Sequence, residues 1–230
     1  MTKKINIIIA VLFCSASLFG QDISKDFSAT YNAYLSDNLS IDFQVTMYAN
    51  KDDKKGTTIG KGLIRKEKNN YYSQYGDYEY VVNDKGTLMV NNAKKELSFY
   101  KGIIQKAPSF ISSADMDTLL AEADSVVFKG IIGNKKLYSL FDESSGVMRT
   151  DMYIDIANGF ISRIEYFYNE NSDEEEYDAY KVVIDYSSIS TSKNIDKGIF
   201  SLSKYVTSKN NSMVATNRFT NYKLQVISKQ

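Results

Sequence analysis

Histidine occurs nowhere in this 230-residue sequence, and the single cysteine is Cys14. With no thiol or imidazole past the first twenty residues, Ser-His-Asp and Cys-His nucleophile systems and the usual zinc sites cannot be assembled. Two carboxylates could still form a glycosidase pair, since that mechanism asks only for an acid and a base or nucleophile at the right separation. No pair stands out, because most acidic residues fall in turn-like clusters or on the polar side of strand-like runs. The run Asn169-Glu-Asn-Ser-Asp-Glu-Glu-Glu-Tyr-Asp178 gathers oxygen ligands that suit calcium, yet it lacks the alternating spacing and central glycine of a calcium loop. It reads as a solvated connection. Tyr71, Tyr72, Tyr75, Tyr78 and Tyr80 could make a stacking platform, but Asp77 and Glu79 interleave them where nucleic acid would need cations. Cross-strand aromatic pairing is the reading they support. The expectation is a protein without catalytic machinery, cofactor or nucleic-acid partner.

Charge and targeting agree with that. Residues 1–20 place Lys3 and Lys4 before the apolar run Ile5 to Phe13 and then small residues, the pattern of a secretory signal peptide. Phe13 stands where lipoprotein cleavage before Cys14 would need a small residue, which disfavours a lipid anchor there. Removal of the leader takes away two lysines from 28 basic residues, leaving 26 against 28 acidic ones. No basic footprint for phosphates remains. Later apolar runs fall short of the ~20 residues of a membrane-spanning helix. The expected location is the periplasm, in soluble form.

The elements that would position any site are mostly strands. Ile59–Arg65, Asn70–Tyr75, Tyr78–Val82, Thr87–Val90 and Glu96–Tyr100 are short β-branched or aromatic runs, separated by Gly76-Asp77, Asn83-Asp-Lys-Gly86 and Asn91-Asn-Ala-Lys-Lys95. Such clusters favour tight reversals, so the runs read as an antiparallel meander. A second meander is expected from Ser125–Ile131, Lys136–Phe141, Val147–Ile156, Phe160–Tyr168 and Tyr177–Tyr186, with Asn158-Gly159 as a hairpin signal. Ahead of both, Asp22–Leu39 has helical spacing in Ile23, Phe27, Thr30 and Tyr34, and Ser40–Tyr48 alternates as a strand. Ser113–Ala123, after Pro108, reads as a short amphipathic helix. With no Pro- or Gly/Ser-rich linker, residues 21–206 are expected to form one domain, and 207–230 an extension or an edge strand. The fold class is mainly β with α: one curved antiparallel sheet, an incomplete barrel, covered by an N-terminal helix and short central helices.

This order resembles the LolA-like family of periplasmic lipoprotein carriers. The likeness lies in the helix leading into a strand over Phe27–Tyr48, in Gly60-Lys-Gly-Leu-Ile-Arg-Lys66 and Val82-Asn-Asp-Lys-Gly-Thr-Leu-Met-Val90, and later in Tyr153–Phe160, Val182–Ile189 and Ile195–Leu202. It runs from about Phe27 to Tyr205. The resemblance implies an acyl chain or lipoprotein held between helices and sheet, with Leu63, Ile64, Leu88, Val90, Met152 and Ile154 as expected lining. It also implies a basic residue that closes the cavity, at Arg65 or Lys66. Gly60 and Gly62 lie inside a strand and no Lys-Ser/Thr follows a helix start, so release would not depend on a phosphate-cradling loop. The alternative function is an envelope interaction protein that docks onto a membrane complex through a sheet edge or its tail.

Overall fold

The computed structural model describes residues 23–102, 120, 122–142, 146–168, 179–192, 194–210 and 212–228. The expected signal peptide, the acidic run 169–178 and most of the helix expected at 113–123 lie outside the described residues. Helix α1 (Ile23–Tyr34) leads into β1 (Asn38–Tyr48), followed by β2 (Thr57–Glu67), β3 (Asn70–Tyr75), β4 (Tyr78–Asn83), β5 (Gly86–Asn91) and β6 (Glu96–Lys101). Next come β7 (Ser125–Ile132), β8 (Lys135–Phe141), β9 (Val147–Asp155), β10 (Ile161–Tyr168) and β11 (Lys181–Ser190). The C-terminal segment holds 3-10 turns at Lys197–Phe200, Leu202–Lys204 and Asn217–Phe219, a small hairpin of β12 (Val206–Lys209) and β13 (Ser212–Ala215), and β14 (Lys223–Ser228).

Among the described residues, twelve strands form one curved open sheet in the order β14-β6-β5-β4-β3-β2-β1-β11-β10-β9-β8-β7. Both meanders form as short antiparallel runs. They join where β1 pairs with β11, Ile41 opposite Ile189 and Val45 opposite Ile184. Two boundaries differ from the sequence reading. The helix stops at Tyr34 rather than Leu39: Leu35 N donates back to Asn32 O, Ser36 Oγ donates to Asn38 O, and this polar break releases Leu39 into β1. The strand expected at Tyr177–Tyr186 instead starts at Lys181 and runs on to Ser190, because β1 supplies a partner over that whole length. The β9–β10 reversal is also longer than a two-residue turn. Asp155 N donates to Phe160 O, while Asp155 Oδ1 accepts from the N–H groups of Ala157 and Asn158.

Period-2 alternation assigns every strand residue to one of two faces. On one face, α1 lies over the sheet and packs with Ile41, Ile64, Tyr71, Val82, Tyr138, Met152, Ile154, Ile161, Ile164 and Tyr186. On the other, the segment 195–224 covers Tyr72, Val81, Leu88, Val90, Leu97 and Phe99 with Phe200, Leu202, Tyr205, Val206 and Phe219. Two cores therefore sit on opposite sides of one sheet. β14 then adds to the free side of β6 in parallel register, Leu224 opposite Leu97 and Val226 opposite Phe99.

Candidate functional site

Four contacts among the described residues fasten α1. Asp26 accepts from Lys136 Nζ at 2.7 Å and from the Tyr138 hydroxyl, which ties the start of the helix to β8. Phe27 meets Tyr138 edge-on at 5.2 Å between centroids, and Tyr34 meets Phe160 edge-on at 5.0 Å. Helical spacing places Phe27, Thr30 and Tyr34 on the side that faces the sheet. Thr30 Oγ1 is buried there with no hydrogen-bond partner among the described residues, a polar point inside an apolar layer.

The same face continues past the helix over β2 to β5. Gly60 and Gly62 make room for it: a Cβ on Gly62 would come within 2.2 Å of the Phe43 ring, and one on Gly60 within 2.6 Å of the Tyr75 ring. Without those side chains the two rings lie over β2, stacked at 5.8 Å and 24°. Tyr80 lies beside Tyr71 at 6.1 Å, with Met89 opposite it on β5. This stretch is partly open, with Tyr75 38 %, Tyr78 59 % and Met89 43 % exposed. An aromatic and thioether strip thus runs out from under the helix.

The eight residues singled out from the sequence divide between the faces. Ile64, Met152 and Ile154 lie together on the helix side. Leu88 and Val90 lie on the opposite face under the C-terminal segment, and Leu63 packs against that second cluster. They do not form one lining, and the reason is parity: Ile64 pairs with Ser73 across β3, and Leu63, one residue earlier, points the other way. Arg65 and Lys66 separate likewise. Arg65 shares the Leu63 face, where Nη1 donates to Ile41 O at 2.7 Å and Ile64 O at 2.8 Å and Nη2 to Asp42 at 2.5 Å. Lys66 is on the helix side, its Nζ 3.5 Å from Leu35 O just past the helix end. Phe43, Tyr75 and Met89 were missed as strip residues, although the Gly60-Lys-Gly62 spacing was the signal that a neighbouring strand's rings lie flat there.

On the face away from α1, Glu79 fastens the C-terminal segment. Its Oε2 accepts from Tyr205 OH at 2.7 Å and Tyr72 OH at 3.0 Å, and its Oε1 from Asn92 Nδ2 at 3.1 Å. Tyr222 OH in turn donates to Asn92 Oδ1 at 2.9 Å. Burial, reinforced by the Glu79 carboxylate, pushes the Tyr72 phenol up to about 12 and raises Tyr205 as well. Burial raises Tyr34, and burial with the neighbouring phenols of Tyr34 and Tyr166 raises Tyr186 well above the ordinary range. Each of these groups holds its proton more tightly folded than unfolded. Their contribution to stability is complete below the ordinary phenol value of about 10 and is lost as pH rises through the raised values. Alkaline titration is therefore expected to unfold the protein cooperatively between pH ~10 and ~12, with tyrosinate absorbance and far-ultraviolet dichroism changing together. Gradual ionisation with the sheet intact at the end would contradict it. No group of three His, Cys, Asp or Glu suited to a metal occurs among the described residues, and no described helix is long and apolar enough to cross a membrane.

No family model matches the sequence, and no curated protein matches it. Structural neighbours include LolA superfamily proteins. A LolA superfamily protein from Nitrosomonas europaea aligns over 78 % of this chain and 97 % of its own, with 9 % identity and a TM-score of 0.32. An uncharacterized conserved protein from Thermus thermophilus aligns over 90 % of this chain and 99 % of its own, with 12 % identity and a TM-score of 0.45. A chain of the MucA/MucB complex from Pseudomonas aeruginosa aligns over 78 % of this chain and 60 % of its own, at 9 % identity and a TM-score of 0.46.

Proposed function

We propose that this is a non-catalytic, exported carrier-like protein that holds an acylated or otherwise lipophilic ligand on the helix side of its sheet. The observation that carries the reading is the strip of Phe43, Tyr75, Tyr80 and Met89, which continues the helix-covered core into a partly exposed surface. An acyl chain laid along it would contribute about 0.8 kcal/mol for each methylene taken out of water, without any polar contact. Lys66, beside the carbonyl of Leu35, is the cation in place to fix or release the end of the helix. Release would follow from an acceptor that binds one helix position better than the other.

The test is uptake of a fluorescent fatty acid by the folded protein, together with mass spectrometry of lipid extracted from it. Met89→Glu places a charge on the exposed part of the strip and is expected to weaken uptake about tenfold or more, with the melting temperature unchanged. A wild-type protein that takes up no acyl probe and carries no lipid sinks the reading.

A second reading, docking onto an envelope membrane complex, draws on β7. Among the described residues this strand pairs only with β8, so its outer edge is unpaired. It carries Ile131 and Ile132 at 59 % and 55 % exposure beyond a register shift between Phe128 and Gly130. An apolar open edge is a template for an added strand. A stoichiometric protein partner recovered from native envelope, in the absence of lipid, would favour this reading over carriage.

A further inference from the structure

The face of the sheet turned away from α1 carries a second groove, of about 650 Å³, at the far end of β8, β9 and β10. Phe141, Phe167, Tyr180 and Arg149 line it, joined by Met148, which the register shift between β9 and β10 leaves unpaired where strict alternation breaks down. The register explains the grouping: Arg149 on β9 lies opposite Phe141 on one side and opposite Phe167 on the other. Its guanidinium carbon sits 3.8 Å from the centre of the Phe167 ring. Lys181 Nζ lies 5.5 Å from the same ring, and Lys129 Nζ 5.7 Å from that of Phe141. Three cations thus rest on two phenyl rings.

Arg149 differs from the other arginines of the sheet. Arg65 gives both terminal nitrogens to acceptors, and Arg163 reaches Glu165 at 2.7 Å and Asp185 at 3.3 Å. Arg149 has a single ion pair among the described residues, Nε to Asp151 at 3.2 Å. That contact is close but misaligned, because Nε is buried without a hydrogen bond, and the Asp151 Oδ1 already accepts from Ser139 Oγ at 2.6 Å. The terminal fork of the guanidinium has no ion pair among the described residues, and the residue lines the groove. A planar fork beside apolar walls matches a planar anion on an apolar body, through two parallel charge-assisted bonds and ring contact. Asp124 also lines the groove, which disfavours a dianion.

We propose that this groove binds a small amphipathic monoanion, a carboxylate or sulfonate on an aromatic or short alkyl body, with Arg149 as the anion ligand and Phe141 and Phe167 as the walls. The site is separate from the helix-side strip and does not depend on the carrier reading. Calorimetric titration with 2-naphthalenesulfonate, against the neutral 2-naphthalenemethanol, tests it. The sulfonate is expected to bind one per chain, more tightly than the alcohol. Arg149→Gln should weaken the sulfonate about tenfold or more and leave the alcohol unchanged, as loss of a charged hydrogen bond requires. Met148→Glu, at a half-exposed wall position, should weaken the sulfonate likewise without lowering the melting temperature, and it decides the matter if Arg149→Gln does not fold. Met89→Glu, on the opposite face, should have no effect. Absence of saturable sulfonate binding, equal affinity in the wild type and Met148→Glu, or a loss confined to Met89→Glu would each overturn the assignment.

Discussion

Replacing Phe27 by alanine is expected to lower the unfolding free energy by about 3–5 kcal/mol, read as a shift in the urea midpoint with little change in slope. Phe27 is almost wholly buried, its ring edge-on to Tyr138, which is itself fully buried. Truncation removes apolar surface from both partners and leaves a cavity between two elements that cannot close onto each other without moving the helix. α1 has only twelve residues, so it owes its structure to docking rather than to its own propensity. Phe27→Leu refills most of the volume and is expected to cost under ~1.5 kcal/mol. The difference between the two variants separates cavity formation from loss of the aromatic pair. A Phe27→Ala protein as stable as the wild type would mean that the helix is not held by this face, and the lid-like role given to it would fall as well.

The second large effect is expected on the opposite face. Glu79→Ala leaves the hydroxyls of Tyr72 and Tyr205 and the amide of Asn92 without their shared acceptor. Hydrogen bonds to a charged group contribute about 1.5–3 kcal/mol each, but the three share one carboxylate and are not additive, so a loss of about 2–4 kcal/mol is expected. Limited proteolysis should show cleavage within 194–222 well before cleavage in β1 to β11, because the segment is tied to the sheet there and by Asn83 Nδ2 to Phe200 O. A double-mutant cycle with Tyr205→Phe should return a coupling of about 0.5–3 kcal/mol. The same substitution removes the carboxylate that helps hold Tyr72 and Tyr205 protonated, so their ionisation should move to lower pH. Unchanged proteolysis and a coupling near zero would show that the aromatic contacts of Tyr205, Phe219 and Tyr222 suffice alone.

Strand identity was legible because it is local. Turn clusters bound short runs of β-branched and aromatic residues, and alternation along β9 already separated Met152 and Ile154 from Arg149 and Asp151. Where only one side of a strand is apolar, such alternation also tells which side is buried. In β3 and β4 it does not: Tyr71 and Tyr72 are both buried, as are Val81 and Val82. When both faces are apolar, the sequence says which side chains share a face and leaves open what covers it.

That choice belongs to distant segments. α1 covers one side and residues 195–224 the other, more than a hundred residues apart from each other along the chain. The division of Leu63 from Ile64, and of Arg65 from Lys66, follows from the same fact, since one step along a strand moves a side chain from one cover to the other. β14 shows the limit again. Its alternation in Leu224 and Val226 permits a strand, and only the parallel register with Leu97 and Phe99 on β6 determines where it goes. The Arg149 groove is the extreme case: Phe141, Arg149 and Phe167 come from three strands and carry no spacing in sequence that joins them. The ladder of backbone hydrogen bonds across β8, β9 and β10 is what sets Arg149 in register between Phe141 and Phe167.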